Sequence, residues 1–407
     1  MDSLSKKPID VNTQQNDRQQ KALITGRLAH LIHDGFTDML YVFFPIWQGV
    51  FGLSFAEVGF LKTLFSGTMA LFQIPAGMLA NRVGEFKLLL IGTVMTSFAV
   101  IFYGLGTTPI LLGCLLVIGG FGSSVQHPLS SSLISSAYQE NRKRRIALST
   151  YNVSGDFGKL LLPSAAAFLI TQFDWQTACH ILGIFGVIIT IFLYFTSKTH
   201  YLGKLSTTGE DTEVSPKGGQ FIGWNGNQLF WVLSTIGVFD SATRMGFLMF
   251  FPFLLQGKGA DITLVGLALT LVFAGGATGK FVCGVLATRL GALRTIITTE
   301  SLTALCIYGI IILPLYGALV LAPLLGLALN GTSSVLYGSV PELVSVNHQK
   351  QAFAIFYTAT IGAGSISPFL YGIISDAIGL KATVMIIAVV VLLTIPLTLP
   401  LRKKLAD

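Results

Sequence analysis

The feature that most limits how this chain can fold is a recurring apolar run of the length a helix needs to cross a bilayer, roughly 20 residues. Measured with that ruler, the sequence predicts helices near 28–50, 56–80, 87–106, 109–137, 145–171 and 176–196. A second set follows near 227–256, 262–288, 294–313, 316–343, 351–374 and 379–401. Only 11% of the 407 residues are charged, whereas a soluble domain carries about 25%. That is too little charge to cover a water-soluble globule. The expected class is therefore an all-α integral membrane protein. Cys114, Cys179, Cys283 and Cys306 each lie inside an apolar run without metal-ligand spacing, and read as small buried hydrophobes.

The long polar stretch at 197–226 falls at the midpoint of the chain and reads as a linker. It divides two six-helix halves, 27–196 and 227–401, flanked by polar tails at 1–26 and 402–407. The first 26 residues have no apolar core followed by a cleavage site, so they read as a cytoplasmic tail. Lys and Arg gather on one side of a twelve-span layout, at Lys6, Lys7, Arg18, Lys21 and Arg27, at Arg82 and Lys87, and at Arg142 to Arg145. Arg289, Arg294 and the Arg402-Lys403-Lys404 tail continue the series, while the opposite loops offer little beyond Lys258 and Lys381. By the positive-inside rule both termini are cytoplasmic, in a bacterial inner membrane. The net charge of +7 is thus a topology signal and calls for no nucleic acid. The expected partners are the bilayer, a small-molecule substrate and protons. The chain is expected to be a monomer, with no cofactor, no bound metal and no enzymatic constellation.

The two halves repeat each other. A shift of 207 residues aligns Phe44-Pro45 with Phe251-Pro252 and Val58-Gly59 with Val265-Gly266. The same shift aligns Gly77-Met78-Leu79-Ala80-Asn81-Arg82-Val83-Gly84 with Gly284-Val285-Leu286-Ala287-Thr288-Arg289-Leu290-Gly291. An ordered series in parallel register is how two transporter halves relate about an axis along the membrane normal. These two stretches resemble the signature loop of the major facilitator superfamily, between helices 2 and 3 and again between helices 8 and 9. The resemblance implies two pseudo-symmetric six-helix bundles around a central cavity lined by helices 1, 4, 7 and 10. It also implies that Gly77, Asn81, Arg82, Gly84, Gly284, Arg289 and Gly291 form conformational loops. The family's acidic position is held here by Asn81 and Thr288, so the latch it makes in the outward-facing state carries no charge. His30-Leu31-Ile32-His33-Asp34-Gly35 and Gln126-His127-Pro128-Leu129 are similar to the fosmidomycin-resistance branch. The Gly-Pro step of many drug exporters is not intact in helix 5, where Lys159 follows Gly158.

A charge at mid-bilayer costs roughly 3 kcal/mol. Asp34, Asp38, Asp156, Lys159, Asp240, Arg244 and Lys280 all fall inside predicted spans, so unpaired they would cost roughly 20 kcal/mol, more than a whole fold's stability. Asp156 with Lys159 is an i,i+3 pair and Asp240 with Arg244 an i,i+4 pair, so each reads as neutralising itself on one helix face. They stand equally as structural ion pairs or as substrate ligands. His30, Asp34 and Asp38 form one stripe of helix 1, with His33 beside it. A carboxylate next to a histidine in a low-dielectric cavity has the make-up of a proton-coupling site, and Asp34, His33 and His127 are its expected members. His127 could instead bond a carbonyl at a kink before Pro128. His30, Asp38, Gln126, Asp156, Lys159, Asp240, Arg244, Asn330 and Tyr337 are the expected substrate ligands, with Lys159 and Arg244 drawing an anionic group. Glu57 and Lys62 are expected near the outer end of helix 2, and Glu342 at a membrane edge. Gly276-Ala277-Thr278-Gly279-Lys280 lacks the first glycine and the Ser or Thr of a phosphate loop, so its glycines read as helix-packing sites.

Overall fold

A computed structural model describes residues 11–201, 227–345 and 348–405. Of the linker expected at 197–226, residues 197–201 are helical and continue the sixth span instead; its remainder, Lys6, Lys7 and the ends of both tails lie outside the described residues. Among the described residues there are helices and no strands. In the first half these are α1 (Val11–Phe51), α2 (Phe55–Val83), α3 (Glu85–Tyr103), α4 (Pro109–Ser123), α5 (Gln126–Ala137), α6 (Asn141–Gln172) and α7 (Trp175–Tyr201). The second half has α8 (Gln228–Gln256), α9 (Ile262–Leu290), α10 (Ala292–Ile312), α11 (Leu315–Leu343), α12 (Gln349–Ile378) and α13 (Leu380–Leu392).

Counting α4 and α5 as one broken span, and α13 together with the short helical turns that carry it on to Leu401 as another, eleven helices are long and apolar enough to cross a membrane. The twelfth is α1, 41 residues long. Its polar stripe lowers its hydropathy, as expected of a helix that carries the site. It also begins at Val11, so the second part of the expected tail is helical.

Local chemistry explains the boundaries. Ser54 and Glu57 form a reciprocal capping box at the start of α2, and Thr108, Asn227 and Asp261 each accept a backbone N–H of the turn that follows, contacts worth about 1 kcal/mol apiece. Gly84 and Gly291, 207 positions apart, have φ of +93° and +83° and join α2 to α3 and α9 to α10. Only glycine adopts that backbone without strain, which gives the repeated signature its final residue. Within the spans, Thr and Ser hydroxyls bond back to carbonyls one turn earlier, as Thr93 does to Leu89 at 2.8 Å and Thr299 to Thr295 at 2.9 Å. Water is absent from the hydrocarbon, so such groups are satisfied internally.

The cores show how the halves meet. One continuous apolar cluster joins Met39 to Trp47 of α1 with Phe247 to Leu255 of α8, along with Phe65 of α2 and Tyr371 of α12. At the opposite end, where the chain starts and finishes, each half has its own core. Ala29, Ala80, Phe86 and Leu133 pack in the first half, and Phe230, Leu233, Val340 and Leu343 in the second. The halves are sealed on the side away from the termini and separate on the termini side. α2 against α12 and α6 against α9 are the main seams between them.

Candidate functional site

The site is assembled at a break. Pro128 has no N–H to give to the carbonyl of Ser124, and the fourth span parts into α4 and α5 between Ser123 and Gln126. His127 sits in the first turn of α5 with 44% of its side chain exposed. Facing it, α1 presents His30 and Asp34 one turn apart, and His33 beside them. All three are buried. Helix α6 comes close because residue 155 is glycine. A Cβ there would stand 2.5 Å from Asp34 Oδ2 and 2.6 Å from His30 Nε2.

Asp34 is the hub. Its carboxylate lies 3.2 Å from His30 Nε2, 3.8 Å from His33 Nε2, 3.9 Å from His127 Nε2 and 3.4 Å from Lys159 Nζ. The Lys159 ammonium also reaches Asp38 at 3.8 Å. His30 Nδ1 lies 3.0 Å from the carbonyl oxygen of Tyr151, and the Tyr151 ring stacks on the imidazole at 4.1 Å. The His33 and His127 rings meet edge to face at 4.8 Å. Three imidazoles, a carboxylate and an ammonium thus share a space in which a proton has several neighbouring places to sit.

The pairing of the charges differs from the expectation. Lys159 pairs with Asp34 and Asp38 of α1, not with Asp156. Asp156 instead accepts from Lys280 of α9 at 2.6 Å, across the two halves. The i,i+3 spacing permits a same-helix contact but does not impose one, and carboxylates on neighbouring helices stand closer. Asp240 and Arg244 are likewise not within ion-pair distance among the described residues. Asp240 is buried, and Arg244 Nε has no hydrogen-bond partner. Lys62 is not at the end of its helix. It is 2% exposed, with Nζ 4.7 Å from the Tyr41 ring centre and 5.7 Å from that of Phe65. Eight residues past its cap it lies about 12 Å along the helix. Glu57 does occupy the first turn.

The other expected ligands are dispersed. Gln126 is buried and donates to Ser130 at 3.1 Å within its own helix. Asn330 donates to the Gly326 carbonyl at 3.4 Å, and the Tyr337 hydroxyl lies 3.1 Å from Thr360 Oγ1. Both belong to the second half. In the signature loops Asn81, Arg82 and Arg289 are exposed, and Gly77 and Gly284 face open space. Gly279 does pack against the Leu327 backbone of α11, as the helix-packing reading expected. Glu300 of α10, buried with Oε1 unpartnered, is an intramembrane acid beyond those expected from the sequence. A lone carboxylate in an apolar span is itself the signal that finds it.

Two bundles of helices, sealed at one end and parted at the other with titratable groups in the parting, define a secondary transporter. The chain matches the Major Facilitator Superfamily over residues 28–254 and 233–406 and belongs to that family. It is similar to the fosmidomycin resistance protein of Escherichia coli K12, 23% identical over 358 residues that cover 86% of this chain and 85% of that one. The D-galactonate transporter of Escherichia coli O6:H1 is 24% identical over 85% of this chain and 86% of its own. The match to the uncharacterized transporter YybO of Bacillus subtilis, 27% identical, covers 37% of this chain and 34% of that relative. Among solved structures, the fold is shared with a bacterial homologue of the human lysosomal transporter Spinster. The inward-facing, occupied form gives a TM-score of 0.75 at 16% identity, covering 94% of this chain and 96% of that one. The chain is an integral membrane protein of bacterial type that moves a small molecule across the bilayer.

Proposed function

We propose that this protein exports a small organic anion in exchange for protons, by alternating access between its two halves, with Asp34 as the coupling carboxylate. The observation that carries the reading is the convergence of His30, His33, His127 and Lys159 on Asp34. A hydrogen-bond donor of the substrate, an O–H or N–H, would bind Asp34 only while the carboxylate is ionised, so protonating Asp34 would expel it and binding of the substrate would favour deprotonation. A single carboxylate would thus let proton and substrate exclude one another, as antiport requires. Lys159 and Arg244 supply the positive field for the anion. The fosmidomycin-resistance branch supports export of a phosphonate-like compound. The cleft opens toward the termini, which the positive-inside rule puts in the cytoplasm; an exporter loads its substrate there. The halves are read as 27–196 and 227–401, working as a monomer.

The second reading is proton-coupled uptake of an organic acid, favoured by the equally extensive match to a galactonate transporter. Proteoliposomes with a lumenal pH dye separate the two. Phosphonates and sugar acids are added under an imposed gradient, with Asp34→Asn at equal density as control. Antiport predicts that the compound and protons move in opposite directions in the wild type, with no proton movement in the variant. Co-directional flux establishes uptake. Transport without proton flux, or normal coupling in Asp34→Asn, rejects Asp34 as the coupling group.

A further inference from the structure

The His30 imidazole poses a chemical problem that a proton solves poorly. A carbonyl oxygen can only accept, so the 3.0 Å contact with Tyr151 O fixes the hydrogen on Nδ1. In the neutral ring Nε2 then carries a lone pair. That lone pair is 3.2 Å from Asp34 Oδ2, yet Nε2 is buried and makes no aligned hydrogen bond. Distance and direction therefore disagree. The atoms are close enough to bond, and the bond is not made. His127 offers a third donor atom there, and one ligand atom from each of His30, Asp34 and His127 lies within 4.8 Å of the other two.

We propose that His30, Asp34 and His127 form a transition-metal site of the zinc, cobalt or nickel class, opening to the cleft through His127. Imidazole and carboxylate are the donors such borderline ions prefer. With bonds near 2.0 to 2.1 Å, tetrahedral ligand atoms stand about 3.4 Å apart; His30 Nε2 is 3.2 Å from Asp34 Oδ2 and His127 Nε2 is 3.9 Å from Oδ1, so a small turn of the carboxylate or of the half-exposed His127 ring would complete the set. The bond from His30 Nδ1–H to a backbone carbonyl is the second-shell contact that fixes a metal-binding tautomer. His33 Nε2, 3.8 Å from Asp34 Oδ1, stands next to the set as a fourth ligand. Lys159 opposes the ion, since its ammonium is 3.4 Å from Asp34 Oδ2. It has a second carboxylate in Asp38, 3.8 Å away, and on metal binding it transfers to that partner. The other charges around the centre are Asp156 and Lys280, which neutralise each other. Metal and proton then compete for Asp34. Metal binding deepens the coupling reading, but it is measured without transport.

The test is a Co²⁺ titration of the purified protein in detergent, with any polyhistidine tag removed, followed by the visible d–d bands. The expected result is one Co²⁺ per chain with the intensity of a tetrahedral site, bleached by Zn²⁺. His127→Gln, at a half-exposed position that tolerates an amide, should weaken binding at least tenfold, and His30→Gln likewise. Size-exclusion profiles and the unfolding midpoint confirm that both variants fold. An absence of d–d bands in the wild type overturns the proposal, and so does a titration that neither variant changes. Either failure leaves the metal-free proton-flux assay above to judge Asp34 on its own.

Discussion

Lys280 Nζ lies 2.6 Å from Asp156 Oδ1 and so ties α9 of the second half to α6 of the first, inside the membrane-spanning region. The pair is partly open to the cleft, with 44% of the lysine side chain exposed and 15% of the aspartate. Its worth falls between that of a solvated pair, under about 1 kcal/mol, and the roughly 3 kcal/mol lost when one member of a buried pair is removed. Because it bridges bodies that must move apart, its cost should appear in the transport cycle more than in folding. Lys280→Met is expected to lower transport at least tenfold while the unfolding midpoint moves little. The exchange of both charges, Asp156→Lys with Lys280→Asp, should recover most of the rate. Failure of the exchange to recover would show that the lysine serves the substrate and not the seam.

A second bridge lies on the sealed side. The Asp376 carboxylate of α12 accepts from Phe55 N at 2.8 Å and Ala56 N at 2.9 Å, capping the first turn of α2 with both oxygens. A negative charge on a helix N-terminus is worth about 1 kcal/mol, and this one holds only while the two halves touch here. On the other side Asn81 and Thr288 bring no charge to the signature loops. The balance therefore favours the form with its cleft open toward the termini. Asp376→Ala should shift the population toward the opposite form by about tenfold per 1.4 kcal/mol lost. Spin labels at Arg82 and Arg289, both exposed, would report it as a growing short-distance component. Cys114 is exposed and must first be replaced, whereas Cys179, Cys283 and Cys306 are buried. A distance distribution unchanged by Asp376→Ala would end the latch argument.

Two glycines of α6 should separate site from scaffold. At Gly158 an added Cβ collides with the Leu31 backbone of α1, which cannot yield without moving a helix. Overpacking of that kind costs about 1–3 kcal/mol or more, so Gly158→Ala should fail in folding and show aggregation by size-exclusion chromatography. At Gly155 the added atom meets side chains, Asp34 Oδ2 at 2.5 Å and His30 at 2.6 Å, and these can rotate. Gly155→Ala should fold and yet displace the pH midpoint of coupled transport. If both variants fold and couple normally, the close approach of α1 and α6 is not as described.

The helices were legible because their signals are local: length, capping residues, and a Gly or Pro where the backbone turns. So was the His30–Asp34 contact, since residues four apart on a helix share a face. What lay beyond the sequence was the choice of partner. Lys159 could have turned to Asp156 three residues away, and it turns to α1 because Gly155 lets that helix come near. Lys62 was unreadable for a similar reason. Nothing in its own helix announces that the Tyr41 ring of α1 shelters its ammonium. The internal repeat predicted paired signature turns, and Gly84 and Gly291 share their backbone geometry. The repeat did not predict the asymmetry of charge, with Asp34 and its imidazoles in one half and Asp240, Arg244 and Glu300 in the other.

That second cluster yields a prediction about which acid is paired. Glu300 is 1% exposed, Oε1 has no hydrogen-bond partner, and neither has Oγ1 of Thr303, three residues on. Its electrostatic neighbour is another acid, Asp240, while the electrostatic neighbour of Asp240 is also Arg244. Burying an unpaired ionised carboxylate costs several kcal/mol, so an ionised Glu300 has nothing here to offset it. Arg244 is half-buried, and Asp240, one turn earlier on the same helix though beyond ion-pair distance, is the carboxylate whose charge it offsets. Replacing Glu300 with Gln keeps the volume and removes the ionisable group, so the unfolding midpoint should hold or rise. Replacing Asp240 with Asn takes the neighbouring carboxylate from the half-buried Arg244 and should lower the midpoint, by about 1 kcal/mol. Thermal unfolding of the two variants in one detergent measures both. A midpoint that falls as far for Glu300→Gln as for Asp240→Asn would mean that Glu300 is ionised and carries part of the balance for Arg244.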